Sequence, residues 1–195
     1  KFSGMVPPKP IIMSREKILA AIRQHKPNAK AAPEIPAFDR TGQDVMALFQ
    51  KVAESSGMKV YQGKLDPNSL NELFPHCPNI LSRLPEITST VSENDLLAID
   101  LAILPAQLVV AENAALWLSE AEMGQRVLPF ICQHLLLVVK PDDLVADMHT
   151  AYERIQIDTT GFGVFIAGPS KTADIEQSLV IGAQGARSLT VFLER

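Results

Sequence analysis

Leu135-Leu136-Leu137-Val138-Val139 is five apolar residues in a row. A strand with one wet face alternates apolar and polar positions. A continuous run instead signals a strand buried on both faces, as in a parallel sheet covered by other layers. After it, Pro141-Asp142-Asp143 reads as a helix start, with Leu144, Met148, Ala151 and Ile155 as the buried face. Before it, Leu96 to Leu104 and Gln107 to Val110 are β-compatible, with Pro105 between them, and Ala114 to Leu118 is a further strand candidate. Val164 to Ala167 and Leu189 to Leu193 supply two more apolar strands.

Nearer the N-terminus the period changes. Val45, Leu48, Phe49 and Val52 recur at i, i+3, i+4 and i+7, which predicts a helix ending near Gly57. Met58 to Tyr61 and Asn79 to Ser82 read as short strands, and Asp66-Pro67 opens a short helix through Phe74. Ile18, Leu19 and Ile22 share one face of a helix that Ser14 would cap. Pro27, Pro33 and Pro36 make Lys26 to Asp39 a linker. Strands and helices therefore mix throughout, and the expected fold is α/β with helices on both faces of the sheet. The expected organisation is a tag or extension over residues 1–12, a helix and linker over 13–40, and one domain over 41–195.

Bulk properties exclude several classes. A 195-residue chain that is 47% apolar and 21% charged has the composition of a globular domain with a sizeable core. A formal charge of −4 gives no electrostatic footprint for nucleic acid. No apolar run reaches the length that spans a bilayer, and no signal-peptide order occurs, so a cytoplasmic location is expected. Two cysteines make no disulfide framework and cannot hold an iron–sulfur cluster by four thiolates. His76-Cys77 are adjacent and Cys132-x-His134 lacks CxxC spacing, so no metal site is expected. Neither a G-x-S-x-G elbow nor a G-x-G-x-x-G turn is present.

The densest cluster of candidate binding residues is Gly168-Pro169-Ser170-Lys171-Thr172-Ala173-Asp174-Ile175-Glu176. An apolar run leads in and an apolar-periodic segment, Ile175 to Ile181, leads out, which predicts strand, loop and helix start. Two readings are open at this level. Ser170, Thr172 and backbone N–H groups can form a ligand cradle with Lys171 as counter-charge, or the segment is a plain strand-to-helix turn. Asp174 and Glu176 in the first helical turn would repel a phosphate and favour a hydroxyl-bearing ligand or a cation.

Gly168 to Gly185 (GPSKTADIEQSLVIGAQG) resembles the C-terminal signature of the LUD-domain, or lactate-utilisation, family, and Ile99 to Val139 resembles it more weakly. The resemblance implies a sheet like that of CoA transferases and ribose-5-phosphate isomerases (NagB/RpiA type). It implies a cluster-free subunit of an L-lactate-to-pyruvate oxidation system, bound to iron–sulfur partner proteins or to a small carboxylate. It also marks Glu112 and Arg126 as site residues beside Gly168, Ser170, Lys171, Thr172, Asp174 and Glu176. The family's Glu-Thr-Gly-Thr turn is altered here, with Asn113 and Ala114 standing where threonine and glycine are usual. Gln184 and Ala186 stand where the family often has histidine and proline. Two alternatives accompany this expectation: a stand-alone enzyme acting on an acyl-CoA or phosphosugar, and a degenerate interaction protein.

Overall fold

The computed structural model describes residues 15–28, 30–31, 33–34, 42, 44–156, 161–173 and 179–194. Ser14, residues 1–12, Asp174 and Glu176 lie outside the described residues. The chain divides into a unit spanning Lys1–Asp39 and a larger one spanning Arg40–Arg195. In the first unit α1 (Arg15–Gln24) carries Glu16 in its first turn and Arg23 in its last, each complementing the helix dipole.

In the larger unit, α2 (Val45–Ser55) starts where the Asp44 carboxylate accepts from Ala47 N at 3.0 Å. It stops at Gly57, whose φ of +85° few other residues adopt cheaply, and Met58 N bonds back to Ala53 O at 2.9 Å. The next elements are β1 (Lys59–Gln62), a 3₁₀ turn over Pro67–Ser69, α3 (Leu70–Leu73) and β2 (Ile80–Ser82). A second 3₁₀ turn over Leu96–Ala98 precedes β3 (Leu101–Pro105), so the long apolar run from Leu96 is a strand only in its second half. β4 (Leu108–Val110), β5 (Leu116–Ser119), α4 (Glu120–Met123), α5 (Leu128–Ile131) and β6 (His134–Val139) follow.

β1, β2, β3 and β6 are completed by β11 (Ser188–Leu193) into one parallel sheet of order β1-β11-β6-β3-β2. The apolar run Leu135 to Val139 lies in its middle strand, β6. Leu135, Leu137 and Val139 enter one core, and Leu136 and Val138 enter another on the opposite face. That is the doubly buried pattern expected of an interior parallel strand. One face packs against Leu70 and Leu73 of α3 together with Leu65, Cys77 and Ile87. The other takes Phe49 and Ala53 of α2, with Met123 and Leu128.

A second sheet, which the sequence reading did not anticipate, shares this second face. Its order is β7-β4-β5-β8, with β7 (Leu144–Val145) and β8 (Gly163–Ile166) at its edges. Leu116 and Leu118 of β5 point into the core shared with the parallel sheet. Trp117, between them, points the other way, toward Ala151 of α6 (Met148–Arg154).

Two expectations are corrected here. Pro141–Asp143 makes only a 3₁₀ turn, and Leu144 and Val145 then pair in parallel with Val109 and Val110. The helix starts at Asp147, whose Oδ1 accepts from Thr150 N at 2.8 Å. Sheet pairing with a distant strand outweighs a local helix signal here. The segment after Gly168 is likewise not a helix start. β9 (Lys171–Ala173) and β10 (Leu179–Ile181) pair antiparallel, with Thr172 opposite Val180. β-branched Val180 and Ile181 suit this pairing.

Ala114 has φ of +53°, alone among the described non-glycine residues in being positive, and it is fully buried. Left-handed backbone costs an ordinary residue about 1–2 kcal/mol. Ala114→Gly relieves that strain but loses a buried methyl and adds unfolded-state freedom, about 1 kcal/mol in total. The net change is expected to lie within about 1 kcal/mol of zero. Ala53→Gly, in the interior of α2, has no strain to relieve and should cost about 2 kcal/mol. Urea denaturation of both variants checks the difference.

Candidate ligand cleft

β8 ends at Ile166 and the chain turns through Gly168, at φ +100°. A Cβ built there would lie 3.1 Å from Ser56 O, so the loop approaches the end of α2 more closely than a side chain tolerates. Lys171 Nζ donates to that same carbonyl at 2.5 Å. A cation at a helix C-terminus satisfies a carbonyl that has no intrahelical donor and complements the dipole. Lys171 thus ties the loop to α2 with one of its three N–H donors.

The loop is also stitched to the segment before β11. Ser170 N donates to Ala186 O at 2.9 Å, and Gly182 N donates to Ser170 O at 2.9 Å. Gln184 N reaches Ser170 Oγ at 3.3 Å. Gly185 has no side chain where a Cβ would sit 3.3 Å from that of Ser170. Between the two segments lies a cleft of about 290 Å³. Gly168, Ser170, Lys171 and Thr172 line it on one side, Gln184, Gly185 and Ala186 on another. Phe130, Leu135 and Phe165 supply apolar wall. Ser170 Oγ accepts from Gln184 N and retains its hydroxyl hydrogen as a donor.

The structure therefore gathers four of the candidate residues, Gly168, Ser170, Lys171 and Thr172, around one space. Arg126 and Glu112 are elsewhere. Arg126 forms a two-pronged pair with Glu120, Nε to Oε1 at 2.7 Å and Nη2 to Oε2 at 2.9 Å. Its guanidinium also lies 5.0 Å from the Phe162 ring centroid. The hydrogen bond from Arg126 holds the exposed Glu120 carboxyl below its usual range. Glu112 occupies the β4–β5 turn, where Oε1 accepts from Met148 N at 2.9 Å at the start of α6. Beside it, Asn113 Oδ1 accepts from Ala115 N at 3.0 Å, and Ala114 carries the left-handed backbone that the family's glycine would take.

The cleft's second wall, Gln184 to Ala186, was legible as a glycine turn but not as a site. Its one local signal was the spacing of Gly182 and Gly185. Cys132, whose Sγ lies 3.9 Å from the backbone oxygen of cleft-lining Pro129, is 2% exposed, and burial pushes its thiol up to about 12. That shift disfavours the thiolate, the reactive form of the group. Cys132 should resist iodoacetamide in the folded protein and react at once in denaturant, as read by mass spectrometry.

The LUD domain model matches residues 11–193. The chain belongs to the LUD-domain family. Its fold is also similar to that of a DUF162 family protein from Deinococcus radiodurans, whose crystal structure was determined at 1.70 Å resolution. The likeness has a TM-score of 0.59 at 14% identity and covers 82% of this chain and 100% of that one. At that identity it bears on the fold alone. No curated protein matches the chain. Among the described residues of this LUD domain, no helix is long and apolar enough to cross a membrane. No group of three or more metal-ligating side chains is gathered among them either.

Proposed function

We propose that this LUD-domain chain serves an L-lactate utilisation system as a subunit that binds a small carboxylate, lactate or pyruvate, in the cleft between Gly168 and Ala186. One observation carries the reading. Both ends of the stretch that resembles the family's signature, Gly168 to Thr172 and Gln184 to Gly185, line a single space, with Ser170, Lys171 and Thr172 among the lining residues. A short hydroxy- or keto-carboxylate needs those groups: a cation for the carboxylate and hydroxyl donors for its remaining oxygen.

The redox work falls to partners on this reading. These 195 residues hold two cysteines, both buried, and four thiolates are required for a cluster of the usual kind. Iron–sulfur proteins of the same pathway are the proposed partners. The parallel sheet with helices on both faces supports a NagB/RpiA-like ancestry. An acyl-transferring enzyme built on Glu112 is less favoured, because that carboxylate already caps α6.

The test is thermal unfolding with L-lactate and with pyruvate. Wild type should be stabilised, by about 3 kcal/mol at a hundredfold excess over the dissociation constant. Ser170→Ala and Thr172→Val should lose that response while keeping the unliganded melting temperature. A response unchanged in both variants would place the ligand elsewhere. Anaerobic pull-down from the native host should recover iron–sulfur proteins in stoichiometric yield; a partner-free protein would count against the subunit role.

A further inference from the structure

Side chains alternate along β6 and β11, so the residues next to those lining the cleft face the opposite side of the sheet. Leu135 and Leu189 line the cleft, whereas His134 and Ser188 line a separate cavity of about 390 Å³. This second cavity lies over the N-terminal ends of the strands, between the sheet and the segment from Glu72 to Cys77.

The register of the sheet sorts its floor into rungs. Ser188 pairs with His134, and His134 Nδ1 lies 2.7 Å from Ser188 Oγ. One rung on, Thr190 pairs with Lys59. The rung after that joins Tyr61 to Phe192, with rings stacked 5.0 Å apart. Polar donors therefore occupy two successive rungs and an aromatic surface the third. Leu73, Phe74 and Cys77 form an apolar wall, and Phe74 lies 6.0 Å from the His134 ring.

We propose that this cavity binds a small carboxylate with an apolar body, its anionic head held by Lys59, Thr190, Ser188 and His134 and its body lying along the Tyr61–Phe192 pair. The volume suits it. At roughly 30 Å³ per water, the space holds about a dozen waters, comparable to an aryl or short alkyl acid. The charge suits a monoanion. Lys59 can meet one anionic head, and with Glu72 also in the lining a second negative charge on the ligand is disfavoured. Arg187 and Asp100 add opposing charges at its margin: both act on His134, as does Lys59. Burial first, then Arg187 and Lys59, lowers the His134 value, and Asp100 works against them. The imidazole is therefore neutral at pH 7, a hydrogen-bonding partner and not a second cation. Burial, and then the charge of Asp100, push the Cys77 thiol up and disfavour its thiolate.

The experiment is an NMR titration of the full chain with sodium phenylacetate, read at the His134 ring nitrogens, with inorganic phosphate as a head-group probe. Saturable binding with a dissociation constant of about 1 mM or tighter is expected, with the His134 titration midpoint moving upward as a carboxylate arrives. Lys59→Ala should weaken binding about tenfold or more. Lys59 is exposed, so this variant should fold, and Lys59→Gln serves as a second, milder removal of the charge. Ser170→Ala, in the other cleft, should leave phenylacetate binding unchanged. Failure to saturate, full affinity in both Lys59 variants, or loss of binding in Ser170→Ala would each overturn the proposal. So would phosphate binding as tightly as phenylacetate, since the aromatic rung would then contribute nothing.

Discussion

Gly163→Ala is expected to destabilise the protein by about 3 kcal/mol. Gly163 sits in β8 opposite Ser119, and the Trp117 ring lies across it from the neighbouring strand. A Cβ at Gly163 would stand 2.3 Å from Trp117 Cζ2, 2.4 Å from Cη2 and 3.1 Å from Leu118 O. Neither neighbour yields easily. Leu118 O belongs to the paired strand, and Trp117 is 7% exposed and packed against Phe165 at 4.7 Å, with Tyr152 edge-on to Phe165 at 5.8 Å. The glycine thus makes room for an indole, and the added methyl forces ring or strand to move. For a domain of this size the melting temperature should fall by about 6–12 °C. Trimming the ring in Trp117→Leu, destabilising alone, should recover part of the loss when combined with Gly163→Ala. Additive losses in that double-mutant cycle would show that the ring is not what the methyl strikes.

Leu116→Ala should cost a similar amount, about 2–5 kcal/mol. Leu116 is fully buried on the face of β5 directed at the parallel sheet, and it pairs with Val109 and Ile166 of its own sheet. Its side chain is part of the apolar seam between two sheets that, among the described residues, share no ladder hydrogen bonds. The cavity left by truncation therefore weakens that seam more than either ladder. Hydrogen exchange should report faster opening across β4, β5 and β8 than across β6 and β11. Equal acceleration in both sheets would mean that the layers open as one unit.

The parts of this fold that could be read from the sequence were those whose signal is local and strong. The run at Leu135 announces a strand buried on both sides, Leu189 to Leu193 reads as a further strand, and Gly57 closes a helix whose apolar spacing is plain. The division into two sheets was not legible, because Leu144–Val145 is too short to read as a strand and is fixed only by pairing with Val109–Val110. The hairpin after Gly168 escaped for a related reason. Ser170 and Thr172 are good helix caps in isolation, but their backbone groups bond to Ala186, Gly182 and the strand around Val180. Half of the cleft was visible as a polar loop after a strand. Its other half is a glycine turn whose importance lies in what it approaches, and such an approach leaves little trace in spacing.

The strand order also bears on how the chain is made. Among the described residues β1 pairs with β11 alone, and its partner residues lie about 130 positions further on. During synthesis β1 must wait roughly 10 s, at ordinary elongation rates, before the strand that completes its hydrogen bonds leaves the ribosome. Until then β6 also exposes one unpaired edge, in a segment that is almost wholly apolar. The nascent chain therefore carries a sticky, half-built sheet from the completion of β6 at Val139 until β11 emerges at Ser188. Its yield should depend on holdase chaperones and growth temperature far more than the stability of the finished domain would suggest.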